Sequence, residues 1–112
     1  MHELDLRGII PAIVSPMTPD GELDLASLRS YVEWLVAQGP IALAVNADTG
    51  EGPHLTGDER RRMLETVVEV VAGRCRVVAG VGGPSTAQGA ANARTAQAAG
   101  ADALLVFPIP TF

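Results

Sequence analysis

The sequence contains no lysine: its eight cationic residues are all arginine, namely Arg7, Arg29, Arg60, Arg61, Arg62, Arg74, Arg76 and Arg94. A mechanism that needs a lysine amine within these 112 residues is therefore excluded. Cysteine is almost absent. The single Cys75 cannot form an internal disulfide or a cysteine-based zinc site, and a reducing compartment fits it. Basic clusters strong enough to offset the acidic residues are missing, and the formal net charge is −5. No nucleic-acid partner is expected on that balance. No apolar run reaches the length of about 18 residues that a membrane span needs, so no membrane partner is expected either. The opening MHELDLRGIIPAIVSPM carries two acids and one arginine before its apolar run, which Pro11 and Pro16 interrupt. That is the wrong pattern for a secretory signal, and a cytoplasmic location is the expectation.

What is present is a globular composition, 47% hydrophobic and 19% charged, expected to form one domain over residues 1–112. Four short apolar runs stand out: Gly8–Met17, Ile41–Asn46, Val77–Val81 and Ala101–Phe107. Each is nearly continuous in hydrophobicity, as in parallel strands covered on both faces. Three helical segments alternate with them. The first spans about Leu25–Gln38, with Asp24 as N-cap, an apolar face of Leu25, Leu28, Val32, Leu35 and Val36, and Gly39 at its end. The second spans about Gly57–Ala72, opened by a Thr56/Glu59 capping box. The third spans about Thr86–Ala99, with a Ser85/Gln88 box, an inner face of Ala87, Ala90, Ala91 and Ala98, and Gly100 as terminator. The order β-α-β-α-β-α-β predicts an α/β fold of parallel, right-handed β/α units. An open doubly wound sheet and a β/α barrel both satisfy it. A dinucleotide fingerprint is not met: the GVGG of Gly80–Gly83 is followed by Ser85 where the pattern needs its third glycine.

In either architecture ligands bind at the carboxyl ends of the strands. The richest of these is NADTGEG, which gathers Asn46, Asp48, Thr49 and Glu51 around two glycines. Gly50 permits a left-handed backbone, and free amides beside the Thr49 hydroxyl suit a small carboxylate. The same residues also suit a plain turn capped by Asp48 and Thr49. His54 reads as a surface residue and His2 as part of a frayed terminus. Arg60–Arg62 reads as a solvated triplet beside Asp58 and Glu59, and Cys75 as an ordinary thiol. Tyr31, Trp34 and Phe107 read as packing residues.

At this loop a family resemblance becomes specific. Gly8–Pro16, the helix DGELDLASLRSYVEWLVAQG, the loop ADTGEGPHLTGDER and the segment VVAGVGGPSTAQGAANARTAQAAGADALLVFP follow one another in the order of one known family. They resemble the dihydrodipicolinate synthase and N-acetylneuraminate lyase family over essentially the whole chain. The resemblance implies an incomplete TIM barrel and Schiff-base lyase, aldolase or dehydratase chemistry on a 2-oxo acid such as pyruvate. It implies no metal and no organic cofactor. In the family's G-T-T-G-E loop the second residue belongs to a hydroxyl relay and the third binds the substrate carboxylate. Carried over, Asp48 takes the relay position, a departure from threonine, and Thr49, with the backbone of Gly50, takes the carboxylate. Where the family has a relay tyrosine after the fourth strand, this chain reads Pro108-Ile109-Pro110-Thr111-Phe112. The family's Schiff-base lysine sits on a later strand. A full barrel takes about 250 residues, so about three and a half of eight β/α units are here, and the chain is not expected to be catalytic alone. The resemblance also gives Glu51 a structural rather than a catalytic part. Edge strands at Gly8 and Ala101 predict self-association or a complementing barrel half as partner. The alternative reading is a non-catalytic half-barrel that serves in assembly or as a scaffold.

Overall fold

A computed structural model describes residues 3–108; His2 and residues 109–112, with the expected relay departure at their start, lie outside them. Three helices and three strands alternate: α1 (Leu25–Ala37), β1 (Ala42–Val45), α2 (Gly57–Val71), β2 (Arg76–Gly80), α3 (Thr86–Ala99) and β3 (Ala103–Leu105). A short 3-10 turn, Gly52–His54, precedes α2. The strands are parallel and follow sequence order β1-β2-β3, with Leu43 level with Val77 and Ala79 level with Leu104.

The expected first strand is only partly realised. The 8–17 segment runs parallel to β1 at its outer edge, but it bridges β1 only through Ala12, to Ala44, while Met17 bridges Leu23 in the antiparallel sense. The Ile13 N–H donates to the Ala44 carbonyl, and the Ala44 N–H to the Pro11 carbonyl. Pro11 has no N–H with which to continue the ladder, so the regular pairing is interrupted there, and the next bond back is from the Ile41 N–H to the Ile9 carbonyl at 3.0 Å. The segment then turns at Thr18-Pro19-Asp20-Gly21, where Gly21 adopts a φ of 84° and the Thr18 N–H donates to Glu22. This turn delivers Asp24 to the start of α1.

The helices begin where their local chemistry dictates. The Asp24 carboxylate accepts from the Ser27 N–H at 3.0 Å. At α2 both halves of the capping box form: Glu59 N–H to the Thr56 hydroxyl, and Thr56 N–H to the Glu59 carboxylate. At α3 only half forms. Ser85 accepts from the Gln88 N–H, while the Gln88 amide turns along the helix to Asn92. Gly100, at a φ of 101°, ends α3, and a Cβ there would lie 3.1 Å from the Val68 side chain of α2.

The core is formed where α1 and α2 cover the sheet. Leu28, Val32, Leu43, Val45, Met63, Leu64, Val67 and Val71 are buried, each side chain contributing about 1.5–3 kcal/mol on transfer from water. The inner face of α3 differs from the expected one. Ala96 is buried, with Ala93 and Ala99 packed beside it, whereas Ala87, Ala90 and Ala98 are exposed. Alanine occurs on every side of this helix, so the pattern carries no phase. Trp34 and Phe107 are also not packed: they are 61% and 49% exposed. Trp34 sits off the Leu28–Val32–Leu35 stripe that α1 buries. Tyr31 does pack, and its hydroxyl accepts from the Val14 N–H. Ile9, Val14, Leu104 and Val106 are exposed at the two sheet edges, as a sequential four-segment order requires. No helix among the described residues is long and apolar enough to cross a membrane.

Candidate functional site

The carboxyl end of β1 turns sharply into a rim loop. Asn46 adopts a φ of 61°, a conformation asparagine tolerates better than most side chains. The loop winds tightly from there: the Gly50 and Gly52 N–H groups both donate to the Ala47 carbonyl at 3.1 Å, and the Glu51 N–H to the Asp48 carbonyl at 2.9 Å. Glu51 is held at a φ of 57° to enter the 3-10 turn. The Ser15 hydroxyl donates to the Gly50 carbonyl at 2.7 Å, tying the edge segment to the loop. A Cβ at Gly50 would lie 2.8 Å from the Ile13 carbonyl, so this position admits only glycine without movement.

The three expected site residues therefore share one loop but differ in state. Asp48 and Thr49 are exposed, while Gly50 is buried. Among the described residues neither the hydroxyl nor the N–H of Thr49 has a hydrogen-bond partner. The Gly50 N–H is engaged by the Ala47 carbonyl, whereas the N–H groups of Asp48 and Thr49 have no partner among the described residues. Asp48 lines a cleft of about 950 Å³ that also meets Gly82, Pro84, Asn92, Phe107 and Pro108; Thr49 is not among the lining residues. The carboxyl ends of β1, β2 and β3 thus open on one space. The Glu51 carboxylate makes no hydrogen bond among the described residues, and His54 is exposed at the end of the 3-10 turn.

Arg60 departs most from expectation. Arg61 and Arg62 are solvated and pair with Asp58 and Glu65, as a surface triplet should. Arg60 instead turns inward and is half-buried. Its guanidinium donates to the carbonyls of Gly52 and of Gly80, the latter at 3.0 Å. Its own carbonyl accepts from the Asn46 amide at 3.0 Å. Burial holds its pKa below the ordinary arginine value. Arg60 and Asn46 thus clasp the rim loop to the end of β2. The clasp is tight: a Cβ at either Gly52 or Gly80 would collide with the Asn46 carbonyl. Nothing in the local sequence marks this arginine, because its partners come from Gly52 and Gly80.

Cys75 is half-buried, and burial raises its pKa more than Arg74 lowers it. The Arg74 guanidinium is turned away to Glu33 at 2.7 and 2.8 Å. Cys75 is therefore an unactivated thiol. Among the described residues no group of three or more His, Cys, Asp or Glu side chains is placed to hold a metal ion.

Comparison with known proteins identifies the family and the fold. The 4-hydroxy-tetrahydrodipicolinate synthase of Gluconacetobacter diazotrophicus is 43% identical over 95% of this chain and 36% of its own length. A dihydrodipicolinate synthase of Acinetobacter baumannii, solved chloride-inhibited and in complex with pyruvate, superposes with a TM-score of 0.91. It is 33% identical over 96% of this chain and 38% of that one. A dihydrodipicolinate synthetase structure from Pseudomonas aeruginosa gives the same TM-score at 32% identity, over 96% of this chain and 37% of that one. The chain thus spans little more than a third of the relatives it matches, and its β/α units are a portion of their TIM barrel. The model of the dihydrodipicolinate synthetase family matches residues 5–109, and the chain belongs to that family as an N-terminal part of its fold.

Proposed function

We propose that this chain supplies the N-terminal rim of a lyase that acts on a 2-oxo acid of the pyruvate type through a Schiff base. The amine comes from a lysine outside these 112 residues, either on further β/α units of the same polypeptide or on a complementing chain. The observation that carries the reading is the Thr49 rim: an exposed hydroxyl and N–H, both unengaged, at the carboxyl end of β1 in a chain of this family. Those two donors grip the substrate carboxylate. Gly50 supports them by allowing the loop to press on Ile13. Asp48, in place of the relay hydroxyl, accepts a proton without first having to give one up. As a carboxylate it also repels a second acid group brought close to it, so the donor-bearing end of the substrate lies toward Asp48. A homo-oligomer is the expected assembly.

The second reading, a non-catalytic assembly element, is favoured by the absence of lysine and by the exposed Ile9, Val14, Leu104 and Val106 at the sheet edges. Borohydride reduction in the presence of pyruvate, followed by mass spectrometry of the expressed protein, separates the two. Reading one requires an adduct on a lysine beyond this segment or on a partner chain. Absence of any adduct supports the scaffold. Thr49→Val is expected to weaken apparent affinity for the 2-oxo acid about 10- to 100-fold. That loss corresponds to one charge-assisted hydrogen bond of about 1.5–3 kcal/mol.

A further inference from the structure

Behind the rim loop lies a second, smaller space that adjoins the cleft lined by Asp48 and shares Asn46, Arg60, Gly80 and Asn92 with it. It is a cavity of about 30 Å³ between the ends of β1 and β2 and the helices α2 and α3. Its polar wall is made by Asn46, Arg60, Asn92 and Thr95, and its apolar wall includes Leu64 and Ala79. Asn46 is only 4% exposed. Its amide nitrogen is committed to the Arg60 carbonyl, which fixes the orientation of the side chain. That leaves Oδ1 as a buried acceptor without a protein donor among the described residues. Buried polar atoms are almost always paired, so this oxygen calls for a group that can donate to it. The Arg60 guanidinium, on the same wall, has five N–H groups and commits two donors to the carbonyls of Gly52 and Gly80. It therefore calls for an acceptor.

We propose that this cavity is a binding site for one internal water molecule that links Asn46 to Arg60. Water is the ligand class that fits on three counts. The volume exceeds the roughly 10–15 Å³ that one water needs, and is too small for an organic group. The site needs donation to Asn46 and acceptance from Arg60 at once, which water provides. It also offers a third partner, the Thr95 hydroxyl or the second lone pair of Asn92 Oδ1, matching the usual count of about three bonds. A neutral donor-only group leaves the guanidinium unanswered, and an anion faces the Asn46 oxygen. The bridge makes α3 part of the clasp. Asn46 and Arg60 alone connect β1, the rim loop and β2; the water extends the connection to the helix that carries Asn92 and Thr95.

The test is a high-resolution crystal structure of the expressed protein that carries these residues. The expected result is a density peak at full occupancy within hydrogen-bond distance of both Asn46 Oδ1 and an Arg60 guanidinium nitrogen. An empty cavity overturns the proposal, and so does an Asn46 Oδ1 bonded directly to a protein donor. Oxygen-17 relaxation dispersion gives a second reading in solution. The protein is expected to show a long-residence water contribution that falls by one molecule in Asn46→Leu. Equal dispersion in the protein and in a folded Asn46→Leu variant overturns it.

Discussion

Replacing Arg60 by methionine tests the clasp, because the new side chain retains most of the length and loses only the guanidinium. In the native structure that group satisfies the carbonyls of two buried residues, Gly52 and Gly80. Leaving a buried acceptor unpaired costs about 1–3 kcal/mol and losing one of two bonds about 0.5–1.5 kcal/mol; Gly52 keeps the Leu55 N–H at 3.3 Å, so the two lost bonds set an upper range of about 1.5–4.5 kcal/mol. Two effects reduce it. The guanidinium is itself partly desolvated, and its removal recovers that penalty. The clasp also borders the open cleft, from which water can reach a freed carbonyl. The expected net loss is about 2–3 kcal/mol in urea unfolding. Arg60→Lys can reach one carbonyl and should recover about half of it, since one ammonium lacks the two-pronged geometry. Arg62→Met is the control, an exposed arginine 3.8 Å from Asp58, expected to change stability by less than about 0.5 kcal/mol. Equal stabilities for Arg60→Met and Arg62→Met would refute the argument that Arg60 holds the loop.

Three further outcomes are expected. Gly52→Ala and Gly80→Ala should each destabilise by more than about 3 kcal/mol, because their Cβ would strike the Asn46 backbone, whereas Gly57→Ala, with nothing within 4 Å, should be neutral or stabilising in the same denaturation assay. Thr56→Ala should cost about 1 kcal/mol, since it removes the hydroxyl half of the α2 capping box; circular dichroism melts would show it. The third concerns acid. Bonding to Arg74 holds the Glu33 carboxyl below its ordinary value of 4.5, so the folded state binds this proton less readily than the unfolded chain. Its contribution is therefore complete above the unfolded pKa and fades as pH falls through the folded one; Glu33→Gln should flatten the acid limb of a stability-against-pH curve. An unchanged acid limb would argue that the Glu33–Arg74 pair does not persist in solution.

The parts of the fold that could be read from the sequence are those governed by neighbours in the chain. Asp24, Thr56 with Glu59, and Ser85 mark the starts of α1, α2 and α3 within a residue, because a cap is a contact over three positions. The rim loop was legible as a tight turn, since a strand end followed by small and polar residues has few alternatives, but its left-handed positions fall at Asn46 and Glu51 and not at Gly50, which close packing on Ile13 requires instead. The face of α3 was not legible. Ala96 is buried and Ala90 exposed, yet they are the same residue type, and only packing against the rest of the core distinguishes their surroundings. The first strand was overestimated because its hydrophobicity is genuine while Pro11 removes a donor that pattern reading does not weigh. Asn46 and Arg60 were missed as a pair for a topological reason. Their shared bonds reach Gly52 and Gly80, brought together only once β1 and β2 lie side by side.

The strict succession of the sheet has a bearing on how such a molecule comes into being. Each strand finds its neighbour in the one synthesised just before it, and each helix returns to a surface already laid down. A nascent chain emerging from the ribosome can therefore dock every new piece on arrival, without waiting for a distant stretch still to be translated. The same property means that a unit can be appended at the growing end without rethreading what came earlier, so architectures of this kind can lengthen by simple accretion.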